Sequence, residues 1–247
     1  MATTNKRSMR IRLNILVLRF SRNWLRIVTG FLAIYVALPI IAPALMNFGL
    51  EGVGRNIYTL YSPFCHQFGF RSFYLFGDQP VYPRESTGSG WDSYESYVEG
   101  IEDFVEFTAE DEFTLEWSLA HKFYYGNDTM GYKTGLCERD MFIYGALLMG
   151  AILYNVPKIR RRLRPVPLWL YALLGLSPIA IDGFSQLLGY PPFEFWAPRE
   201  TLPEFRVITG FLFGIMTAWL GLPYINSSMQ ETEVEIGQKL QQANIDI

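Results

Sequence analysis

Four stretches of this chain, residues 27–50, 141–157, 165–181 and 207–229, hold no Asp, Glu, Lys or Arg. Each is at least 17 residues long, and a helix rising 1.5 Å per residue needs about 20 residues for a hydrocarbon core of roughly 30 Å. In lipid every backbone N–H and C=O must be satisfied within the segment, so such stretches fold as helices. The fold class expected is therefore all-α, a four-span transmembrane helix bundle with spans near 27–48, 140–156, 167–188 and 206–223. Charged residues form only 18% of the chain, against about a quarter in a soluble domain. A soluble cytosolic protein is excluded on these grounds. Nucleic acid is excluded as a partner by the net charge of −3 and by basic residues that sit beside the spans.

The charges between the spans give the orientation. Residues 1–26 carry Lys6, Arg7, Arg10, Arg12, Arg19, Arg22 and Arg26 and no acid. A second basic cluster is Lys158, Arg160, Arg161, Arg162 and Arg164, whereas residues 51–140 hold 16 acids against 6 basic residues. Basic loops stay cytoplasmic. This predicts a multi-pass protein of the cell (inner) membrane, with 51–140 and 189–205 outside and with 158–164 and both termini cytoplasmic.

Five segments follow. Residues 1–26 form a cytoplasmic basic amphipathic segment, in which Ile11, Ile15, Leu18 and Leu25 fall near helical spacing among arginines. That pattern suits an N-terminal interfacial helix on the anionic inner leaflet, or equally a cytoplasmic extension of span one. The apolar run starts only at Ile27, so the segment reads as an uncleaved signal anchor. Residues 27–77 hold span one and an outer Cys-His-Gln motif. Residues 78–133 are an acidic, partly helical outer insert with 13 acids and 3 basic residues, and helices are expected within 92–125 from the spacing of Tyr94, Tyr97, Val98, Ile101 and Val105. Residues 134–225 contain spans two to four, and 226–247 form a cytoplasmic tail in which 230–242, with Glu231, Glu233, Glu235 and Lys239, reads as a short solvated helix. Gly210 and Gly214 give span four the small-xxx-small spacing of close helix packing.

The polar residues that periodicity leaves unexplained collect at the outer membrane face. Cys65, His66, Gln67 and Arg71 follow span one, and Cys137, Arg139 and Asp140 open span two. Asp182 and Gln186 share a face of span three, and Arg206 opens span four. A carboxylate inside a span, as Asp182 is, is costly unless paired, protonated or bound to a cation. Pro178 and Gly183 suggest a helix locally opened around it. Cys65, His66, Cys137 and Asp182 are the right ligand types for zinc, the candidate cofactor. A Cys65–Cys137 disulfide in an oxidising exterior and two free buried thiols are the alternatives. Arg71, Arg139 and Arg206, with Gln67 and Gln186, could bind an anion such as a lipid phosphate. Equally, the arginines could neutralise Asp140, Asp182 and Glu204. His121 reads as an ordinary surface or helix-face residue.

These residues resemble a known family. Cys65-His66-Gln67 with Arg71-Ser72-Phe73, then Gly135 through Cys137-Glu138-Arg139-Asp140 with Tyr144-Gly145, look like the signature of an uncharacterised prokaryotic membrane-protein family, domain of unknown function 2085. Asp182-Gly183 with Gln186, and Arg206 with Thr209-Gly210, are similar to it too. The resemblance covers the spans but not the 78–133 insert, where members usually have a much shorter loop. Some members carry a third cysteine where this chain has Asp140. The family implies no activity.

Two functions are expected to compete. One is a metal-binding membrane protein acting on a lipid or phosphorylated substrate, with Asp140 or Asp182 as base beside a zinc-bound water. The other is a scaffold or subunit of a larger membrane complex, its acidic insert docking other subunits or a cationic partner.

Overall fold

The computed structural model describes residues 2–101, 104, 114–243 and 245, with side chains from residue 9 onward. The chain opens with α1 (Ala2–Asn47), one unbroken helix of 46 residues. Its first 28 residues contain neither Gly nor Pro, so nothing stops helix propagation across the membrane boundary. The basic leader is thus continuous with the helix of span one. At Gly49, with φ +77°, the chain turns into α2 (Glu51–Tyr61), which lays Tyr58 against Ala42 and Met46 of α1.

A small antiparallel sheet corrects the all-α expectation. Its strands β1 (Ser72–Leu75), β2 (Gly126–Asn127) and β3 (Gly131–Cys137) lie in the order β1-β3-β2. The insert supplies α3 (Tyr94–Val98) and α4 (Leu115–Phe123), begun by Ser93 and Thr114 accepting from Ser96 N and Trp117 N. Both fall within the predicted 92–125, while Val105 lies outside the described residues. The insert's core is aromatic and includes Tyr82, Tyr94 and Trp117, but also Phe68, Phe70 and Tyr74 from ahead of it. Arg84 lies buried in this cluster, its guanidinium 4.2 Å from the Trp117 ring centre and paired with Glu95 at 3.0 Å. His121 is fully buried there, 3.8 Å from the Trp117 ring; it is a core residue and not a surface one. Burial, with Lys133 and Arg84 nearby, pulls its pKa down to about 3.

The bundle is built on α5 (Glu138–Asn155) and α9 (Pro203–Gln242). A Cβ on Gly210 would strike the Arg139 carbonyl, and one on Gly214 the Ile143 carbonyl, so the two glycines bring these helices into backbone contact. Toward the inner side α1 joins them through Trp24, Leu25, Ala151, Tyr154, Ala218 and Leu222. The tail continues α9 to Gln242, tied to α1 by an Arg22–Glu233 ion pair at 2.9 Å; it is not a separate solvated helix. Between α5 and α9 run α6 (Pro157–Arg162), α7 (Leu168–Leu170), a π-helical segment Tyr171–Leu176 and α8 (Ser177–Leu187). Pro178 has no N–H and crowds the carbonyl four residues back. The helix answers with the wider π register before the proline, and Ser177 Oγ bonds Ala172 O at 2.7 Å. The opening therefore precedes Asp182, which itself sits in regular helix.

Three helices are long and apolar enough to cross a membrane: Met9–Asn47, Leu168–Leu187 and Pro203–Gln242. The second predicted span falls in α5, whose first turn carries Glu138, Arg139 and Asp140. Large apolar side chains such as Phe31, Ile34, Leu173 and Ile181 stay exposed on these helices, as lipid-facing surface does.

Candidate functional site

The Cys-His-Gln motif follows the end of α2. Gln67 adopts φ +55°, a left-handed conformation rare for a side-chain-bearing residue. Its backbone N–H then points back to Cys65 Sγ at 3.5 Å. The Gln67 side chain is buried and donates to Tyr58 O at 2.9 Å and Gly135 O at 2.8 Å, joining α2 to β3. Its amide braces α2 against β3, and Gln67 does not line the cleft that His66 and Arg71 line. Lys133, which the sequence did not flag, is also fully buried. Its ammonium donates to Gln67 O at 2.7 Å, Lys122 O at 2.7 Å and His121 O at 3.3 Å, tying the motif to the C-terminal end of α4. Burial pulls its pKa down to about 7; the Cys65 sulfur opposes this and Lys122 adds to it.

At the junction of β3 and α5, Cys137 N donates to Cys65 Sγ at 3.2 Å, and the Cys137 thiol donates to Asp140 Oδ2 at 3.2 Å. Both cysteines are free thiols, which corrects the disulfide reading. The hydrogen bond with Cys65 and burial push the Cys137 thiol up. The two sulfurs and an Asp140 carboxylate oxygen lie within 4.8 Å of one another, the one such group found among the described residues. The expected four-ligand set is therefore not the set that is gathered. Asp140 is in it, whereas His66 and Asp182 are outside. His66 is exposed beside the group, 5.3 Å from the Phe68 ring. Burial of its ring, with Arg71 and Lys122, lowers its pKa against the pull of Asp140, which keeps the imidazole neutral.

Asp182 is engaged on both oxygens: Arg139 pairs with one, while Arg199 (3.1 Å) and Thr201 Oγ1 (2.6 Å) donate to the other. A second carboxylate, Glu200, was not foreseen. It is 5% exposed and accepts from Arg71, Arg206, Gln186 Nε2 (2.8 Å) and Tyr190 Oη (2.5 Å). Burial alone would raise its carboxyl, but Arg71 and Arg206 overcome this and hold it down at about 2. Arg206 also pairs with Glu138 at 3.3 Å. The arginines thus neutralise Asp182, Glu200 and Glu138, while Glu204 accepts from the Trp91 indole at 3.3 Å instead. No short motif marks Glu200; it lies in the polar loop 189–205, where an acid is unremarkable.

A cleft of about 650 Å³ opens over these groups. His66, Arg71, Cys137, Arg139, Asp140 and Gln186 line it, with Arg206 deeper and Leu115 and Ser118 of α4 along one side. Buried Arg139 Nε has no hydrogen-bond acceptor among the described residues. Predicted residues from the Cys-His-Gln segment and from α5, α8 and α9 thus share one cavity with Leu115 and Ser118 of the insert.

The model of the family described as "Predicted membrane protein", domain of unknown function 2085, matches residues 123–220. An uncharacterized protein of Methanocaldococcus jannaschii is 34% identical over 93 residues, 38% of this chain and 54% of that protein. The chain thus spans about half the length of the curated relative it matches. No solved structure matches. The family match takes in Cys137, Asp140, Asp182, Glu200 and Arg206 but begins after Cys65 and His66.

Proposed function

We propose that this is a four-span protein of the cell membrane, with α5 as the fourth span, both termini cytoplasmic, and a zinc site at its outer end. The observation that carries the metal site is the grouping of Cys65 Sγ, Cys137 Sγ and an Asp140 oxygen within 4.8 Å from segments 72 residues apart in sequence. Two backbone N–H groups aimed at Cys65 Sγ support the negative charge a bound thiolate carries. Three protein ligands with a fourth position left open is the pattern of catalytic rather than structural zinc. A zinc ion there would supply a water of pKa near 7 or polarise a substrate oxygen.

The chain's own groups suit an outer-leaflet amphiphile with a phosphate or ester headgroup. His66, exposed in the cleft, can accept a proton, and Arg139 lines the same cleft as a cation for a headgroup oxygen. Leu115, Leu187 and Pro191 give the cleft an apolar side. Asp182, bonded to two arginines and a threonine, positions Arg139 and is not the base.

Elemental analysis of the purified full chain tests the metal. About one zinc per chain is expected. Cys65→Ala or Cys137→Ala should bring it near background and Asp140→Asn should lower it severalfold, while Asp182→Asn should leave it unchanged. Metal-free protein with two titratable thiols would reject the site.

A further inference from the structure

The opposite end of the bundle holds a second cavity that the outer site does not use. It measures about 610 Å³ and lies where α1, the α5–α6 junction and the inner part of α9 converge. Four guanidinium groups line it, Arg22 and Arg26 from α1 and Arg160 and Arg161 from α6, against one carboxylate, Glu233. Glu233 is itself paired with Arg22 at 2.9 Å. Cytoplasmic retention of basic loops accounts for positive charge on this side, and Lys158, Arg162 and Arg164 outside the cavity already supply it. It does not account for arginines from two separate segments facing one hollow. Asn23, Asn226 and Gln230 add polar side chains to the wall. Trp24, 4% exposed, packs along one wall of the cavity.

We propose that this inner cavity binds a phosphate-bearing anion, held by Arg22, Arg26, Arg160 and Arg161. Guanidinium forks match phosphate oxygens in pairs. Basic hollows between spans on the cytoplasmic side suit anionic lipid headgroups. The same chemistry would hold a soluble phosphoester, so the test separates the two sources.

The full chain in mild detergent is incubated with phosphatidylglycerol or phosphatidylcholine, and retained lipid is read by native mass spectrometry. In parallel, sodium phosphate is titrated at constant ionic strength while the melting temperature is followed. Preferential retention of phosphatidylglycerol assigns the site to lipid; stabilisation by phosphate alone assigns it to a soluble phosphoester. In either case Arg160→Gln/Arg161→Gln should weaken binding about tenfold or more. The charge-matched Arg162→Gln/Arg164→Gln, outside the cavity, should leave it unchanged. Arg26→Gln, on α1 and away from the α6 cluster, should weaken it severalfold and serves if the double variant fails to insert. Equal losses in both double variants, wild-type binding in Arg26→Gln, or no binding of either probe would overturn the proposal.

Discussion

Glu200 accepts from four side chains, against three at Asp182. Two guanidinium groups, an amide and a phenol converge on one buried carboxylate. Removing one partner of such a cluster leaves the others buried and uncompensated. Glu200→Gln should therefore cost about 3–5 kcal/mol at pH 7, read as a lower melting temperature of the full chain. The pH dependence has a definite sign. The carboxyl is held at about 2 in the folded protein against an ordinary 4.5. Its contribution is then complete above about pH 4.5 and is lost as the pH falls toward 2. Wild type should lose stability through that window and Glu200→Gln should show a flatter acid limb. A variant as stable as wild type at pH 7, or equally acid-sensitive, would mean that the arginines are satisfied elsewhere. Sequence reasoning located Arg71, Arg139, Gln186 and Arg206 because their positions next to spans are unusual. It missed Glu200 and Lys133, because an acid or lysine in a polar outer segment becomes exceptional only once tertiary contacts bury it.

Helices were legible where composition alone dictates them. The spans in α1, α8 and α9, and the glycine spacing of α9, could be read because lipid leaves the backbone no other choice. The sheet could not. Its strands are 2 to 7 residues long, and β1 pairs with a strand more than 50 residues away, with Tyr74 opposite Lys133. The π-helical segment has a local cause in Pro178, yet its effect falls on the preceding turn. α5 has only 18 residues, Glu138, Arg139 and Asp140 among them, and is not one of the three helices long and apolar enough to cross a membrane; whether it crosses can be tested directly. Single cysteines at Ser86 in the insert and Lys158 in α6, in a background lacking Cys65 and Cys137, should differ in intact cells. An impermeant maleimide should label position 86 and not 158. If both positions label, α5 does not cross and the protein has three spans.

The outer cleft exists only because two parts of the molecule meet there. The bundle's own packing, Gly210 and Gly214 of α9 against the carbonyls of Arg139 and Ile143, needs nothing from the insert. The Cys-His-Gln motif does need it. Phe68 and Phe70 bury themselves in the insert's aromatic core, and Lys133 holds Gln67 through the carbonyls at the end of α4. Deleting residues 80–130 with a short linker should accordingly separate the two. The spans should still insert and the chain should run as a single species in detergent, since the α5–α9 contact is intact. Zinc content should nevertheless fall well below wild type, because Phe68 and Phe70 lose the aromatic core that anchors the segment after Cys65, and Lys133 loses the two α4 carbonyls that help hold its ammonium on Gln67 O. Lys133→Met tests the same link without a deletion, as it keeps most of the side-chain length and removes only the ammonium that joins Gln67 to α4. It should lower zinc content in the same direction while the spans stay folded. A deletion variant with full zinc would make the insert a passive cover, and one that fails to insert would make it part of the bundle's folding core.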